Sequence, residues 1–379
     1  MSEWKELKLG NVVMFQRGHD LPKTDMKVGT YPVAGSNGII GYHNTFTTKA
    51  PGITIGRSGN IGTPHFYKED FWSHNTVLFI KDFKGNSEKF IYYFLKTLDF
   101  TQFNTGSAVP SLNRNHIHEL AVSIPLLSEQ HAIASVLTGL DDKIDLLHRQ
   151  NTTLEKMAEA LFRKWFVVEA MEDWEEVSLK EFITIKHGYA FKGNYITAEP
   201  TNLILVTPGN FRIGGGFKFD KFKYYTNDKF PQDYILKAGD LIVTMTDLSV
   251  DGNTLGYSAF VPENYSNEVY LHNQRIGKVE FKNEIGKYFV HQLMKTDDYQ
   301  WFVLGGASGT AIRHTSPTSI CNYSFQMPPK SKILEFETFA KGIEEKNKNN
   351  QTQIRTLTAL RDTLLPKLMS GEVRIEMKK

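Results

Sequence analysis

The sequence predicts an α+β protein in which two β-rich domains are joined by a long antiparallel two-helix coiled coil. Three observations support this fold class: an internal repeat, β-branched segments bounded by turn residues, and two apolar stripes with heptad spacing. The predicted order is a globular domain over residues 1–126, a helix over 127–170, a second globular domain over 171–328, and a second helix with the C-terminal tail over 329–379.

The internal repeat consists of short motifs that recur in the same order, and we call them the repeat anchors. Trp4-Lys5-Glu6-Leu7 and Gly18 recur 170 residues later as Trp174-Glu175-Glu176-Val177 and Gly188, His74-Asn75 recurs 198 residues later as His272-Asn273, and Thr105-Gly106-Ser107-Ala108-Val109 recurs 203 residues later as Ser308-Gly309-Thr310-Ala311-Ile312. The growing offset gives the second copy about 33 extra residues, nearly all of them between Gly188 and His272. We expect a shared frame with differing loops, where binding specificity usually lies.

Within each copy, the composition is typical of strands separated by tight turns. Residues 76–80 and 241–244 are β-branched runs, and Ser58-Gly59-Asn60 and Asp251-Gly252 are turn sequences. One helix per copy is predicted, near residues 88–98 and 285–295.

Beyond Pro125 the apolar residues recur in alternating steps of four and three, which is the period of a coiled-coil seam. The predicted first seam, after a capping-box-like start at Ser128-Glu129-Gln130-His131, contains Ile133, Leu137, Leu140, Ile144, Leu147, Leu154, Ala158, Leu161 and Trp165, with Asn151 in one polar position. The second seam lies 203 residues later, a multiple of seven, and contains Phe336, Ala340, Ile343, Asn347, Asn350, Ile354, Leu357, Arg361, Leu364 and Leu368.

These stripes allow two arrangements. Two amphipathic helices packed on separate domain cores would show the same apolar faces. The shared heptad phase favours helices, near residues 128–166 and 331–369, that pair with each other, and we expect antiparallel pairing with a pseudo-twofold relation between the copies.

Size, charge and cysteine content limit the class of protein. At 379 residues the chain has room for two or three domains, and its net charge of +2 does not by itself indicate a nucleic-acid partner. The single cysteine, Cys321, excludes an internal disulfide and a cysteine-rich zinc site. The start has no signal-peptide core and the chain has no 18-residue apolar run, so we expect a soluble cytoplasmic protein.

Motifs for catalysis are absent from the sequence. There is no phosphate-binding P-loop, no dinucleotide-binding glycine motif, no amino-methyltransferase motif and no zinc-hydrolase histidine pair. We therefore expect no catalytic residue, no metal site and no bound cofactor. His116 and His118 are interpreted as loop or partner-facing residues.

Polar and basic residues of the loops are the candidates for contacts with DNA. Arginine suits guanine, asparagine and glutamine suit adenine, and lysine suits phosphates, although any one of these residues could instead be a solvated charge. The candidates in the first copy are Arg17, His19, Lys23, Arg57, Ser58, Asn60, Asn113 and Arg114. Those in the second copy are His187, Lys192, Asn210, Arg212, Lys218, Lys221, Gln274, Arg275 and Arg313.

Taken together, the duplicated anchors, Gly106-Ser107-Ala108-Val109-Pro110 ahead of Pro125-x-x-Ser128-Glu129-Gln130, and the ending Leu364-Leu365-Pro366-Lys367-Leu368-Met369-Ser370-Gly371-Glu372 resemble the specificity subunit of type I restriction–modification enzymes. The resemblance implies two target-recognition domains that each contact one half of a bipartite, asymmetric DNA site. It also implies a coiled coil that sets the spacer and docks two methyltransferase (modification) subunits.

Methylation and cleavage would then belong to partner subunits, with S-adenosylmethionine, ATP and magnesium bound there and with restriction/translocase subunits in the full complex. The second copy departs from the family pattern at Lys330-Ser331-Lys332-Ile333, where Glu-Gln would be usual, so the two partner-binding surfaces are not expected to have equal affinity. Two other functions remain open: an enzyme with an unrecognised site, against which the absent motifs argue, and a coiled-coil adaptor that binds only proteins, for which unequal loop insertions are unnecessary.

Overall fold

The structure is a computed structural model that describes residues 4–103, 111–247, 254–265, 267–283, 285–309 and 312–375. The chain forms two compact units, the first of residues 1–147 and 353–379 and the second of residues 148–352. Each unit therefore combines one globular domain with parts of both long helices. Residues 106–110, the Asp251-Gly252 turn and Thr310-Ala311 lie outside the described residues.

The domain of the first unit contains nine strands and three helices among its described residues. These are β1 (Lys5–Lys8), α1 (Leu9–Val12), β2 (Met14–Arg17), β3 (Tyr31–Gly35), β4 (Gly38–His43), β5 (Gly52–Gly56), β6 (Pro64–Tyr67), β7 (Trp72–Ser73), β8 (Val77–Asp82), α2 (Glu88–Leu95), α3 (Arg114–His118) and β9 (Ala121–Ile124). Ser87 caps α2 by accepting a hydrogen bond from the Phe90 N–H.

Three sheets form the first domain. An antiparallel sheet has the order β2-β8-β5-β6, a smaller sheet has the order β4-β3-β7 with β3 and β7 parallel, and β1 pairs with β9. The core includes buried Phe15, Ile53, Leu78 and Phe90, and it extends to Ile133 and Leu368 of the long helices.

The domain of the second unit follows the same order with more strands. Its elements are β10 (Glu176–Ser178), β11 (Ile183–His187), β12 (Ile196–Thr197), β13 (Leu203–Val206), β14 (Lys223–Tyr225), β15 (Ile235–Leu236), β16 (Leu241–Thr244), β17 (Thr246–Asp247), β18 (Ser258–Phe260), β19 (Val269–His272), β20 (Ile276–Phe281), α5 (Lys287–Leu293), α6 (Asp297–Gly305), β21 (Arg313–His314), α7 (Pro317–Cys321) and β22 (Ser324–Gln326).

Sheet order confirms the internal repeat. The second unit has the antiparallel sheet β11-β20-β16-β18, the mixed sheet β12-β14-β13-β19-β15 with β13 and β19 parallel, and the pair β10-β22. Each has its counterpart in the first unit, with β12 and β15 added at the two edges of the mixed sheet. The two copies therefore share one frame, as their anchors predict.

The repeat anchors meet in space. A Cβ added to Gly18 would lie 2.0 Å from the carbonyl oxygen of His74, and one added to Gly188 would lie 2.1 Å from that of Asn273. Two backbone segments therefore cross at a distance that only glycine allows. The equivalent contacts align His74 with Asn273, an offset of 199, so the predicted alignment of His74-Asn75 with His272-Asn273 is wrong by one residue.

The largest insertion of the second copy lies between the strands of one hairpin. In the first unit only Ser36 and Asn37 separate β3 from β4, whereas residues 207–222 separate β13 from β14. We call residues 207–222 the inserted hairpin. Gly214, Gly215 and Gly216 form its turn with φ angles of +84°, +90° and +91°, a conformation that other residues rarely adopt.

The two long helices are α4 (Leu127–Arg163) and α8 (Lys330–Ser370). Helix α4 ends in a π-helical turn over Lys164–Val168. Ser128 lies inside the first turn of α4, so it does not precede the helix as the capping-box prediction required. Gln130 secures this end instead, because its side-chain oxygen accepts a hydrogen bond from the Ser87 N–H at 3.0 Å.

Contacts within each unit confirm antiparallel pairing. In the first unit, the beginning of α4 and the end of α8 share a core that contains Ile133 and Leu368, and Ile144 and Leu147 pack on Ile354. In the second unit, the end of α4 meets the beginning of α8, where the Phe162 and Phe336 rings lie 5.5 Å apart. The ends of the helices also pack into the two domain cores. The alternative arrangement, in which each helix packs on a domain core, therefore describes these ends, whereas the middle of each helix pairs with the other helix.

Two hydrogen bonds join polar seam residues across the two helices. The Asn350 amide donates a hydrogen bond of 2.8 Å to the Asn151 side-chain oxygen, and the Arg361 guanidinium donates one of 2.8 Å to Asp141. Leu140, Leu154, Leu161, Leu357 and Leu364 are half-buried. Phe162 is the more deeply buried neighbour of Leu161, as expected where an α-helix drifts from a strict heptad period.

The C-terminal segment packs on the first domain. Val373 and Ile375 join its core, and Arg374 lies 5.5 Å from the Trp4 ring while donating bonds of 2.6 and 2.7 Å to Glu129. Of the helices in the described ranges, none combines the length and apolar composition needed to cross a membrane.

Replacing Leu147 by aspartate tests the seam. Leu147 is 2% exposed against Ile354, so Leu147→Asp places an unpaired charge between the helices and lowers the free energy of unfolding by about 3 kcal/mol or more. Chemical denaturation measures this. Leu146→Asp is the control because Leu146 is 38% exposed, and equal losses from the two variants would contradict the seam.

His272 gives the second unit a specific pH dependence. Burial lowers the pKa of His272 from 6.5 to about 4, while its Nε2–H donates to the Ile276 carbonyl at 2.8 Å. Since the unfolded chain takes up this proton more readily, stability falls as the pH drops below 6.5 towards 4.

Glutamine at position 272 keeps a donor but cannot titrate. The stability advantage of the wild-type chain over His272→Gln is therefore expected to shrink by about 2–3 kcal/mol from pH 7 to pH 4. Denaturation curves at several pH values measure it. A difference that does not change with pH would show that His272 is not the group responsible.

Candidate nucleic-acid interface

Four segments meet at one end of the large sheet of the first unit, where β2 and β5 end and β8 begins. The His19 N–H donates to the Ser73 carbonyl (2.7 Å), the Arg57 N–H to the Thr76 carbonyl (2.8 Å), and the Leu112 N–H to the Arg57 carbonyl (2.8 Å). We call residues 17–20, 57–60, 74–76 and 111–114 the first loop edge. These bonds hold loops that are far apart in sequence in one place.

Equivalent bonds build the same edge in the second unit. The Tyr189 N–H donates to the His272 carbonyl (2.8 Å), the Met245 N–H to the Arg275 carbonyl (3.0 Å), and the Thr315 N–H to the Met245 carbonyl (3.0 Å). Residues 187–190, 245–247, 272–275 and 312–315 form this second loop edge. The backbone arrangement is thus repeated while the side chains differ.

The first loop edge brings two predicted arginines together. Arg17 is exposed and lies 3.7 Å from Asp20, whose carboxylate also accepts a hydrogen bond from the Asn75 side chain. Arg57 is half-buried and donates to the Asn75 carbonyl at 3.1 Å. Burial, and then the charge of Arg17, lower the pKa of Arg57, and the nearby Asp20 carboxylate opposes this shift, so two guanidinium groups and one carboxylate share this site. Guanidinium groups of this kind suit phosphate or a guanine edge.

The other first-copy candidates have varied environments. His19, Asn60 and Arg114 are exposed on this edge, and Ser58 is half-buried in a bridge to Ser111. Asn113 caps α3, since its side-chain oxygen accepts the Asn115 N–H at 3.0 Å. Lys23 is exposed in a short 3-10 turn over Lys23–Asp25, and Lys192 is exposed directly before the equivalent turn of the second copy.

The second loop edge carries four predicted residues. His187 is exposed at the end of β11, and Gln274 and Arg275 are exposed in the turn between β19 and β20. Arg313 lies on β21 opposite Asp247 of β17. This edge therefore offers an amide, an imidazole and two guanidinium groups.

Of the candidates in the inserted hairpin, the structure contradicts Asn210. Asn210 is fully buried and its side-chain oxygen accepts the Thr207 N–H at 2.9 Å, so it stabilises a turn and cannot contact DNA. Arg212 donates at 2.6 Å to Glu155 of α4, and Lys218 pairs with Asp220 within the hairpin at 3.3 Å. Lys221 is exposed at a φ of +53°. The bond from Arg212 holds the inserted hairpin against α4. The sequence predicts that the inserted residues form loops for binding specificity and does not predict this contact with a helix.

Several residues of the two edges were not predicted as contacts. Asp20 and Asn75 orient the arginines of the first edge, and the Thr246 hydroxyl and His314 Nδ1 lie 3.0 Å apart on the second. The recurrence of the His-Asn anchor was the signal that could have found this position. Within the ranges that the structure describes, no three His, Cys, Asp or Glu side chains form a group able to hold a metal ion.

Comparison with known proteins identifies the family. The family model described as "Type I restriction modification DNA specificity domain" matches residues 1–156 and again residues 171–359. The chain is 25% identical over 313 residues, 77% of its length, to the type I restriction enzyme MjaIX specificity subunit of Methanocaldococcus jannaschii, of which 70% is covered. It is 22% identical over 354 residues to the HindI specificity subunit of Haemophilus influenzae, covering 75% of this chain and 77% of that one.

A solved structure shares the fold. The S subunit of a type I restriction-modification system from M. genitalium matches with a TM-score of 0.62 at 17% identity, covering 100% of this chain and 97% of the other. Two matches to the same family model span most of the sequence, in agreement with the duplicated sheets and loop edges. The chain therefore belongs to the family of type I restriction-modification specificity subunits, which carry the DNA specificity domain.

Proposed function

We propose that this chain recognises a bipartite, asymmetric DNA site, with each loop edge contacting one half. The observation that carries this proposal is the duplicated edge, in which equivalent backbone hydrogen bonds support different side chains. Arg17 and Arg57 on the first edge suit guanine and phosphate, whereas Gln274 beside Arg275 on the second suits adenine next to guanine. Two unlike edges on one chain would recognise two unlike half-sites.

The paired helices would set the distance between the half-sites. A packed antiparallel seam cannot lengthen to fit a DNA spacer that is one base pair longer. Each added base pair would also rotate one half-site by about 34° relative to the other. A fixed spacer follows, with half-sites about one helical turn apart, 10–10.5 base pairs. In this proposal the coiled coil supplies geometry and the loop edges supply base contacts.

The same helices carry matched apolar residues on their surfaces. Val136 and Phe339 are 39% and 37% exposed, and Met157 and Leu360 are 48% and 45% exposed. The members of each pair are separated by the 203-residue repeat offset. Exposed apolar residues at equivalent positions favour two similar docking surfaces, one in each unit, for two methyltransferase subunits.

Catalysis would reside in those partners. The named relatives are specificity subunits, and the sequence lacks motifs for binding S-adenosylmethionine or ATP. We extend the proposal to methylation by the docked subunits and cleavage by restriction/translocase subunits, which would bind S-adenosylmethionine, ATP and magnesium.

Selection of bound sequences from a random DNA library tests the recognition model. The complex with its methyltransferase subunits is expected to select two unlike words at a fixed spacer. Arg17→Ala is expected to relax one word and Arg275→Ala the other, each by about tenfold or more in base discrimination, because each removes a guanidinium from a different edge.

Lys81→Ala is the control for that selection. It removes an exposed cation from the far end of β8, away from the first loop edge. A continuous palindrome, or one variant that relaxes both words, would contradict recognition by two separate edges.

Sedimentation of the co-expressed complex tests docking. Val136→Asp and Phe339→Asp each place a charge in one apolar surface, so each variant is expected to retain one methyltransferase subunit at saturation and the double variant none. Ser135→Asp adds the same charge at an exposed position about 100° around the helix and serves as the control. Two bound subunits in the double variant would place docking elsewhere.

A further inference from the structure

One carboxylate joins three helices in the first unit. The Tyr93 hydroxyl of α2 donates to Asp141 of α4 at 2.7 Å, and the Arg361 guanidinium of α8 donates to the other oxygen of Asp141 at 2.8 Å. The first domain is thereby tied to both long helices by short, partly buried hydrogen bonds to a charged group.

The repeat offsets show that this network is absent from the second unit. Backbone hydrogen bonds align α2 with α5 at an offset of 199, because the Lys96 N–H donates to the Tyr93 carbonyl as the Lys295 N–H does to the Gln292 carbonyl, so Gln292 is the counterpart of Tyr93. The 203-residue offset of the long helices maps Asp141 onto Glu344 and Arg361 onto Ala158. Ala158 offers no guanidinium. The His291 ring, next to Gln292, bonds to the Ser258 hydroxyl at 2.8 Å, and desolvation holds the pKa of His291 well below its usual range. The second domain is joined to its helices by other contacts, among them the packing of Phe289 on Phe162 and a hydrogen bond of 2.6 Å from the Phe289 N–H to Glu337 of α8.

A cavity occupies the place of the missing network. It has a volume of about 490 Å³ and is lined by Ala158, His291 and Glu344 together with Glu155, Arg212 and Phe260. A space of this size holds several water molecules, so the domain does not rest on the helices here through close apolar packing. On this side of the Phe289 packing, the domain meets the helices through polar contacts across the cavity, such as Lys348 of α8 with Glu263 at 3.0 Å.

The inserted hairpin provides such a contact. Arg212 donates at 2.6 Å to Glu155 of α4, and its guanidinium folds over Gly216 so closely that a Cβ there would lie 2.5 Å from Nη2. Beside it, Lys295 lies 3.9 Å from Glu159, and its side chain packs against Gly215. The first unit has only a two-residue turn at the position of this hairpin and has no counterpart of Arg212.

We propose that Arg212 and Glu155 are positioning residues: the inserted hairpin replaces the lost Arg361-type bond and fixes the second recognition domain at one angle to the helical pair. This inference rests on the proposed bipartite recognition. A domain that can tilt over the cavity tolerates a wider range of half-site separations. The Arg212–Glu155 bond therefore narrows the spacer that the complex accepts, without contacting DNA.

The test measures affinity of the complex with its methyltransferase subunits for duplexes with the optimal spacer and with one base pair more or less. Arg212→Ala and Glu155→Gln are both expected to reduce the preference for the optimal spacer by about three- to tenfold, while the preferred words stay unchanged. Lys229→Ala removes an exposed cation of the same domain that is neither in the inserted hairpin nor a DNA-contact candidate, and it is expected to keep the wild-type preference.

A restored arginine provides the second arm. Ala158→Arg in the Arg212→Ala background rebuilds the first-unit arrangement, with the new guanidinium entering the cavity towards Glu344. This double variant is expected to recover spacer discrimination, which general destabilisation by Arg212→Ala would not allow.

Three outcomes would overturn the inference. The first is an unchanged spacer preference in both single variants. The second is an equal loss of affinity at every spacer in Arg212→Ala alone, because that result would make Arg212 a DNA contact. The third is a folded double variant that does not recover spacer discrimination. If the wild-type complex selected no bipartite site at all, the proposed function would fail instead, so the two failures are distinguishable.

Discussion

The contact between α4 and α8 is the constraint on which both units depend, because each domain core is completed by side chains from both helices. Ile133 and Leu368 close the first core, and Phe162 and Phe336 close the second. Burial of such side chains contributes roughly 1.5–3 kcal/mol each, so separating the helices would open two domain cores as well as the seam. The helical pair is therefore part of each domain.

A polar pair sets the register of that contact. Asn350 is fully buried and bonds to Asn151, in the same polar seam positions that interrupt the apolar stripes. A shift of either helix would leave a buried amide without this partner, at a cost of about 1–3 kcal/mol. In the proposed function, the register of α4 against α8 sets the distance between the two DNA half-sites. The hydrogen bond between Asn350 and Asn151 would therefore help to determine that distance.

The two copies show how one frame accommodates different attachments. In the first, Tyr93, Asp141 and Arg361 form a direct link between the domain and the helices. In the second, the equivalent positions hold Gln292, Glu344 and Ala158 around a cavity, and Arg212 of the inserted hairpin reaches Glu155 instead. The segment that supplies the guanidinium thus differs between the two copies, while the sheets and loop edges share their topology.

The sequence by itself determined the repeat, the two domains, the heptad seams and their polar exceptions, because these are patterns of neighbouring residues with a fixed period. Gly18 and Gly188 could be identified as equivalent for the same reason. Only the tertiary structure decided which loop residues share an edge, that Asn210 is buried, and that Arg212 contacts Glu155 and Arg361 contacts Asp141. Those contacts join segments 57 and 220 residues apart, and such distant pairs are fixed by how the chain closes on itself. Local composition marks a loop as polar and exposed, but it does not state what the loop touches.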